Sequence, residues 1–331
     1  MRKPTAYVGI DTHKSFSYVT AIDSKGKVIK QGKLRNFKFE EFFKELSKYK
    51  VKIAIESTEM IMPLIRALES YGEIKVAHPG KLRLIAESKI KTDKIDSLVI
   101  AQLLRTNFMP ESYIPSKEIR ELRELCREHY SLKVMSTKIK NQIRHHLLAQ
   151  GIITNENIFT KERRLWLRRI SRVANRKLDI LEFLENKIKE VDREIKEKTR
   201  SIEMVRLLTS IPGIGWYSAS LLYAEIANIE RFSSFYKLNA YFGLNPSVHQ
   251  SGKRKYYGSI TKRGNRVVRW VLIQCAYVAI KYDRKLREFY LRKKAEKGNN
   301  KAIVVVARKL LKRIYAVWKR RGAYEREPNL I

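Results

Sequence analysis

With 331 residues and 70 Lys and Arg set against 34 Asp and Glu, the chain carries a net charge of +36, which favours a polyanion: nucleic acid first, an anionic membrane surface second. No apolar run approaches the ~20 residues that span a bilayer, and the N-terminus lacks the apolar stretch of a signal peptide, so a membrane protein is excluded and a cytoplasmic one expected. Cys126 and Cys275 are too few and too far apart for a zinc set, and read as reduced core thiols.

In chain order, "AYVGID" (6–11), "SYVTAID" (17–23) and "GKVIKQGKL" (26–34) predict a three-stranded meander with Ser24-Lys25-Gly26 as a hairpin turn and Asp23 as a turn residue. "FEEFFKELSKY" (39–49) has the apolar spacing of a helix, "VKIAIE" (51–56) that of a strand. "MPLIRALESYG" (62–72) predicts a helix, "EIKVAHP" (73–79) a strand and "KIDSLVIAQLLR" (94–105) another helix. A meander followed by alternating strands and helices makes a mixed sheet covered by helices.

From Ser116 to Gln150, Leu122, Leu125, Leu132, Met135, Ile139, Ile143 and Leu147 form one helical stripe, and a second runs through Leu178, Leu181, Ile188, Val191, Ile195, Ile202 and Val205. The 3-and-4 spacing fits a coiled coil or helical hairpin, either paired within the chain or serving as a dimerisation arm. "LLTSIPGIGWYSASLLYAEI" (207–226) resembles a helix-hairpin-helix, in which Gly213 and Gly215 bring backbone N–H groups to a phosphate; a plain helix-breaking turn is the other reading. The excess charge is +9 over residues 1–110, +8 over 111–200 and +19 over 201–331, which puts the main polyanion contact in the last third.

Asp11 ends the first strand, Glu56 ends "VKIAIE", and Asp93 and Asp96 lie three apart at a helix start, where they share a face. Each has an ordinary structural role open to it. Asp11 can cap a turn, Asp93 can be an N-cap, Asp96 suits a first helical turn, and Glu56 can be a strand terminus with Glu59 competing for its role. Jointly, on so basic a chain, four carboxylates fit a Mg²⁺ or Mn²⁺ centre, and two such ions about 3.5–4 Å apart serve phosphoryl transfer.

"GIDTHK", "IAIEST" and "KTDKIDS", together with "IPGIG", "YFGLNPSVHQSGKRKYYGSITKRGN" and "RWVLIQCA", resemble the DEDD motif and C-terminal part of the IS-one-ten family of insertion-sequence transposases, over about residues 6–280. The resemblance implies an RNase H-like, RuvC-type catalytic domain over residues 1–112, a long helical or coiled-coil region over 113–203, and a mostly helical C-terminal transposase domain over 204–331. It makes Asp11, Glu56, Asp93 and Asp96 the ligands of two Mg²⁺ (or Mn²⁺) ions. It also implies a structured guide RNA and a homo-oligomer, dimer or tetramer, in which the acidic domain of one subunit meets the C-terminal domain of another. The setting would be a prokaryotic cytoplasm, at the nucleoid when bound to DNA.

Residues 245–269 hold Lys253, Arg254, Lys255, Lys262, Arg263, Arg266 and Arg269 without one acid, and read as a phosphate-binding loop with Tyr256 and Tyr257 among the cations. By residue type Ser247 and Ser251 are equal candidates for a nucleophile, and His249 is either a nearby base or a loop histidine. The family's serine stands in a Ser-Gly motif, which selects Ser251-Gly252 and implies a covalent phosphoserine link to DNA. The expected activity is DNA cutting and rejoining. The alternatives are a RuvC-like endonuclease that uses water, and a non-catalytic basic nucleic-acid-binding protein.

Overall fold

In the computed structural model, which describes residues 3–58, 60–85, 92–154, 156–251 and 254–325, the chain divides into two compact units, Met1–Ile114 and Pro115–Ile331. The first contains β1 (Thr5–Thr12), β2 (Phe16–Ile22), β3 (Val28–Arg35), α1 (Glu40–Lys44), β4 (Lys50–Glu56), α2 (Ile61–Leu68), β5 (Glu73–Ala77), α3 (Pro79–Ile85) and α4 (Asp93–Arg105). The strands form one mixed sheet in the order β3-β2-β1-β4-β5. β1, β2 and β3 are antiparallel neighbours, whereas β4 runs parallel to both β1 and β5. Asp23 accepts hydrogen bonds from the backbone N–H groups of Lys25 (2.8 Å) and Lys27 (2.9 Å), which fixes the β2–β3 turn as its sequence predicts.

Alternation along β1 separates two faces. Val8 and Ile10 join Val19, Ile53, Ile55, Phe42 and Leu64 in a core on the side of α1 and α2. Gly9 and Asp11 face α4. There is no room at Gly9 for a side chain: a Cβ would lie 2.1 Å from the Ser97 carbonyl oxygen and 2.4 Å from the Ala101 nitrogen. α4 is fastened along its length. Ser97 Oγ lies 2.6 Å from Thr20 Oγ1, Gln31 Nε2 donates to Thr20 Oγ1 and to the Lys94 carbonyl, and Gln102 Nε2 donates to the Gly26 carbonyl. The helix predicted over 39–49 is shorter, because after Lys44 three-residue turns tighten the chain so that Lys50 can bond the Pro4 carbonyl and enter β4.

The second unit contains α5 (Lys117–Ala149), α6 (Lys161–Ile170), α7 (Arg172–Thr199), α8 (Glu203–Thr209), α9 (Trp216–Ile226), α10 (Phe235–Tyr241), β6 (Pro246–Ser251), β7 (Arg254–Ile260), α11 (Arg266–Tyr282), α12 (Arg284–Lys297) and α13 (Asn299–Arg320), with a single 3₁₀ turn at Ile229–Arg231. Ser116, Thr160 and Ser171 cap α5, α6 and α7 through side-chain oxygens. Ion pairs Lys198–Glu121 (3.7 Å) and Lys140–Glu185 (3.1 Å) set α5 and α7 antiparallel. The two predicted stripes thus meet within one chain, although Met135 stays half exposed. Glu225, 1% exposed on α9, is held by Arg123 and Arg127 of α5. Cys126 and Cys275 are free and buried.

The segment read as a loop is instead a hairpin: β6 and β7 pair antiparallel from Pro246↔Ile260 to Ser251↔Arg254. Val248, Tyr256, Tyr257 and Ile260 supply strand propensity that the surrounding cations obscure. Among the described residues no helix is long and apolar enough to cross a membrane.

Gly9→Ala is expected to lower stability by about 1–3 kcal/mol in chemical denaturation, since the crowding atoms are helix backbone. Gly32→Ala, with nothing within 4 Å of its Cβ position, is expected to stay within about 0.5 kcal/mol of the parent.

Candidate active site and nucleic-acid interface

The sheet register builds the acidic site. Ile10 pairs with Ile55 in parallel strands, so Asp11 and Glu56 follow side by side at the ends of β1 and β4. α4 brings the other two carboxylates, and its cap is not Asp93: Thr92 Oγ1 accepts from the Ile95 N–H at 3.3 Å. That leaves Asp93 for other partners, and places Asp93 and Asp96 in the first turn, where the helix dipole favours negative charge.

The Asp11 carboxyl is pushed up to about 6: burial raises it most, His13 draws it down, and the negative charges of Asp96, Asp93 and Glu56 add to the rise. The other three predicted acids therefore all act on Asp11. His13 joins them. Its Nε2 lies 3.4 Å from Asp11 Oδ2 and 3.0 Å from Asp93 Oδ1. The available signal was its position, two residues beyond Asp11 in "GIDTHK". Donor atoms of Asp11, His13 and Asp93 all lie within 4.8 Å of one another. Oxygen donors with mutually repelling charges suit a hard divalent cation, which would offset both the burial and the repulsion that raise Asp11.

Ser251 lies in the second unit, at the end of β6 opposite Arg254. The side chains of Ser251, His249, Arg254 and Lys255, and the whole of Gly252 and Lys253, lie outside the described residues. Lys262, Arg263 and Arg266 are exposed, between the hairpin and the start of α11. Arg269 turns inward, donating to the carbonyls of Phe242 (3.2 Å) and Gly264 (3.0 Å). Burial and the neighbouring Arg266 lower its pKa.

Gly213 and Gly215 occupy the turn between α8 and α9 and differ in role. At Gly213, with φ +89°, a Cβ would meet the Cys275 carbonyl oxygen of α11 at 2.5 Å. Gly215 is open and begins α9 without a side-chain cap. The two border a cavity of about 400 Å³ that Ser218, Gln274, Val278 and Tyr282 also line.

A mixed five-stranded sheet with acids at adjoining strand ends, followed by a helical region, is the RNase H-like arrangement of a DEDD phosphoryl-transfer domain. A family model for DEDD transposases of the IS110 type matches residues 8–150, and the model described as the transposase IS116/IS110/IS902 family matches residues 205–291. The chain is 26% identical to the transposase for insertion sequence element IS1111A of Coxiella burnetii, over 97% of this chain and 92% of that protein. It is 24% identical to the transposase for IS1328 of Yersinia enterocolitica, over 82% and 83% of the two chains. Against the transposase for IS1533 of Leptospira borgpetersenii identity is 26%, over 68% and 70%. The chain belongs to the IS116/IS110/IS902 family of transposases, enzymes of DNA phosphoryl transfer. Its DEDD domain implies the use of a divalent metal.

Because the folded Asp11 value of about 6 exceeds the unfolded one of 3.8, its contribution to stability is fully present below the unfolded value and is lost as pH rises through about 6. Without divalent cations, Asp11→Asn is therefore expected to be more stable than the parent at pH 7.5, by about 1–2 kcal/mol after solvent screening. The difference should vanish toward pH 4, as thermal melts across that range will check.

Proposed function

We propose that the chain cuts and rejoins DNA at a composite centre in which Asp11, Glu56, Asp93 and Asp96 hold two Mg²⁺ or Mn²⁺ ions and Ser251 is the nucleophile. The observation that carries this reading is geometric: Asp11, His13 and Asp93 bring donor atoms within 4.8 Å of one another, Glu56 follows Ile55 beside Asp11 in the strand register, and Asp96 shares the first turn of α4 with Asp93. Divalent cations bound there supply charge neutralisation for the phosphate and its attacking and leaving oxygens. The Ser251 hydroxyl gives its proton to solvent, its Oγ forms a bond to phosphorus, and the departing strand oxygen takes a proton from solvent in return. One bridging P–O bond of the DNA backbone breaks and leaves a strand-terminal hydroxyl. Reverse attack by a strand-terminal hydroxyl rejoins DNA and releases the serine.

Ser251 is supported over Ser247 by its Ser-Gly context, and by the cations that follow it in β7 and the next turn. Lys253, Arg254, Lys255, Lys262, Arg263 and Arg266 bind DNA phosphates. Arg269 shapes the loop that presents them, and Gly213 and Gly215 place the α9 amides at the backbone. The acids and the serine come from different units, so the reading pairs the acidic unit of one subunit with the serine unit of another, in a dimer or tetramer. A structured guide RNA, implied by the family resemblance and permitted by the net charge, selects donor and target. The place of action is the nucleoid, in a prokaryotic cytoplasm.

Incubating the protein with DNA carrying the element's junction and Mg²⁺ or Mn²⁺ is expected to give a protein-linked DNA species on a denaturing gel. Ser251→Ala should abolish the adduct while leaving DNA binding within about threefold, and Asp11→Asn should reduce it by at least about 100-fold. Strand cleavage by Ser251→Ala at the parent rate would show water to be the nucleophile and refute the serine step.

A further inference from the structure

His13 is built into the acidic centre more firmly than a turn residue needs to be. Its backbone N–H donates to the Phe16 carbonyl at 2.8 Å, and its own carbonyl accepts from Asn36 Nδ2 at 2.8 Å. Asn36 is buried, and its Oδ1 accepts from the buried Ser17 hydroxyl at 2.7 Å. The imidazole stacks on Phe16 with centroids 4.6 Å apart, and the Lys33 ammonium covers Phe16 at 3.8 Å. These contacts hold the ring with Nε2 turned toward Asp11 and Asp93. Preorganisation of this kind, in which supporting groups fix a side chain before its ligand binds, is what a precise binding site requires.

We propose that His13 is a nitrogen ligand of the divalent cation at the Asp11–Asp93 centre, giving a mixed nitrogen–oxygen site that selects Mn²⁺ over Mg²⁺. This rests on the reading of Asp11 and Asp93 as cation-holding residues. The span of the three donors, within 4.8 Å, is close to the largest separation of two ligands on one ion, about 4.2–4.6 Å for bonds of ~2.1–2.3 Å. Small movements of side chains suffice to close it. Asp11 and Asp93 carboxylates serve either ion. An imidazole discriminates, since Mg²⁺ demands a near-ideal oxygen octahedron and parts reluctantly with its waters, whereas nitrogen donors suit first-row transition ions. His13 thus sets which ion the centre prefers, a property that the four acids alone do not give.

The test is titration of the full-length protein with Mn²⁺ and, separately, Mg²⁺ by calorimetry, with electron spin-echo spectroscopy of the Mn²⁺ form. The parent is expected to bind Mn²⁺ at least about tenfold more tightly than Mg²⁺, and its spin echo to show nitrogen modulation. His13→Ala should lose the modulation and weaken Mn²⁺ by at least about tenfold while changing Mg²⁺ by less than about threefold. His13→Gln, which keeps a polar side chain of similar reach, should behave likewise and guards against a folding defect. If Asp11→Asn abolishes Mn²⁺ binding but both His13 variants bind it as the parent does without loss of nitrogen modulation, the nitrogen-ligand inference is overturned and the acidic site stands. If Asp11→Asn also binds Mn²⁺ like the parent, the acidic-site reading falls and the inference with it.

Discussion

The close approach of α4 to β1 at Gly9 is the constraint on which the acidic unit depends. Without a Cβ there, the helix backbone at Ser97 and Ala101 settles directly against the strand. Two residues along the same face stands Asp11, and one helical turn before Ser97 stands Asp93. One contact between backbones therefore places strand-end and helix-start carboxylates together. The polar clasps from Thr20, Gln31 and Gln102 then oppose any sliding of α4 along the sheet. A displacement of about 1 Å would matter, since catalytic groups held that loosely lose much of their effect.

Sinking a carboxylate at the strand end and bringing like charges beside it both work against folding, and both raise the Asp11 carboxyl, burial more than repulsion. His13 offsets part of it. Its exposure of 42% against 13% for Asp11 shows how the site is layered: one acid sunk at the strand end, with the imidazole and the helix-borne acids nearer to solvent. A centre of this kind is stabilised by what it binds, because a ligand that favours the folded state adds to its stability by mass action. The same arrangement draws cations into a chain whose overall field favours anions.

In the second unit the corresponding tight contact is Gly213 against the α11 backbone. It fixes the α8–α9 turn to the helix that follows the basic segment, so the start of α9 at Gly215 and the exposed Lys262, Arg263 and Arg266 belong to one folded unit. Arg269 shows how a cation in a basic run can be structural: its guanidinium satisfies two backbone carbonyls of the neighbouring loop. Glu225 does the converse, since a buried carboxylate on a basic chain is held by two arginines, and losing both would leave its charge uncompensated.

Much of the fold was legible because periodicity is local. The meander, the alternating strands and helices, the long stripes and the turn at Asp23 each follow from neighbours in the chain. The hairpin of β6 and β7 was not, as seven cations over residues 245–269 hid its alternation and suggested a loop. The four acids could be named because carboxylates at the ends of apolar runs are conspicuous. By itself the sequence determined the charge, most elements of the first unit and the two long stripes, and it offered the four acids as candidates. Only the tertiary structure decided that Thr92 rather than Asp93 caps α4, that the two stripes pair within one chain, that Arg269 faces carbonyls, and that His13 stands between Asp11 and Asp93. Those outcomes depend on which atoms from distant segments come within a few ångströms, and no local pattern encodes a distance across the fold.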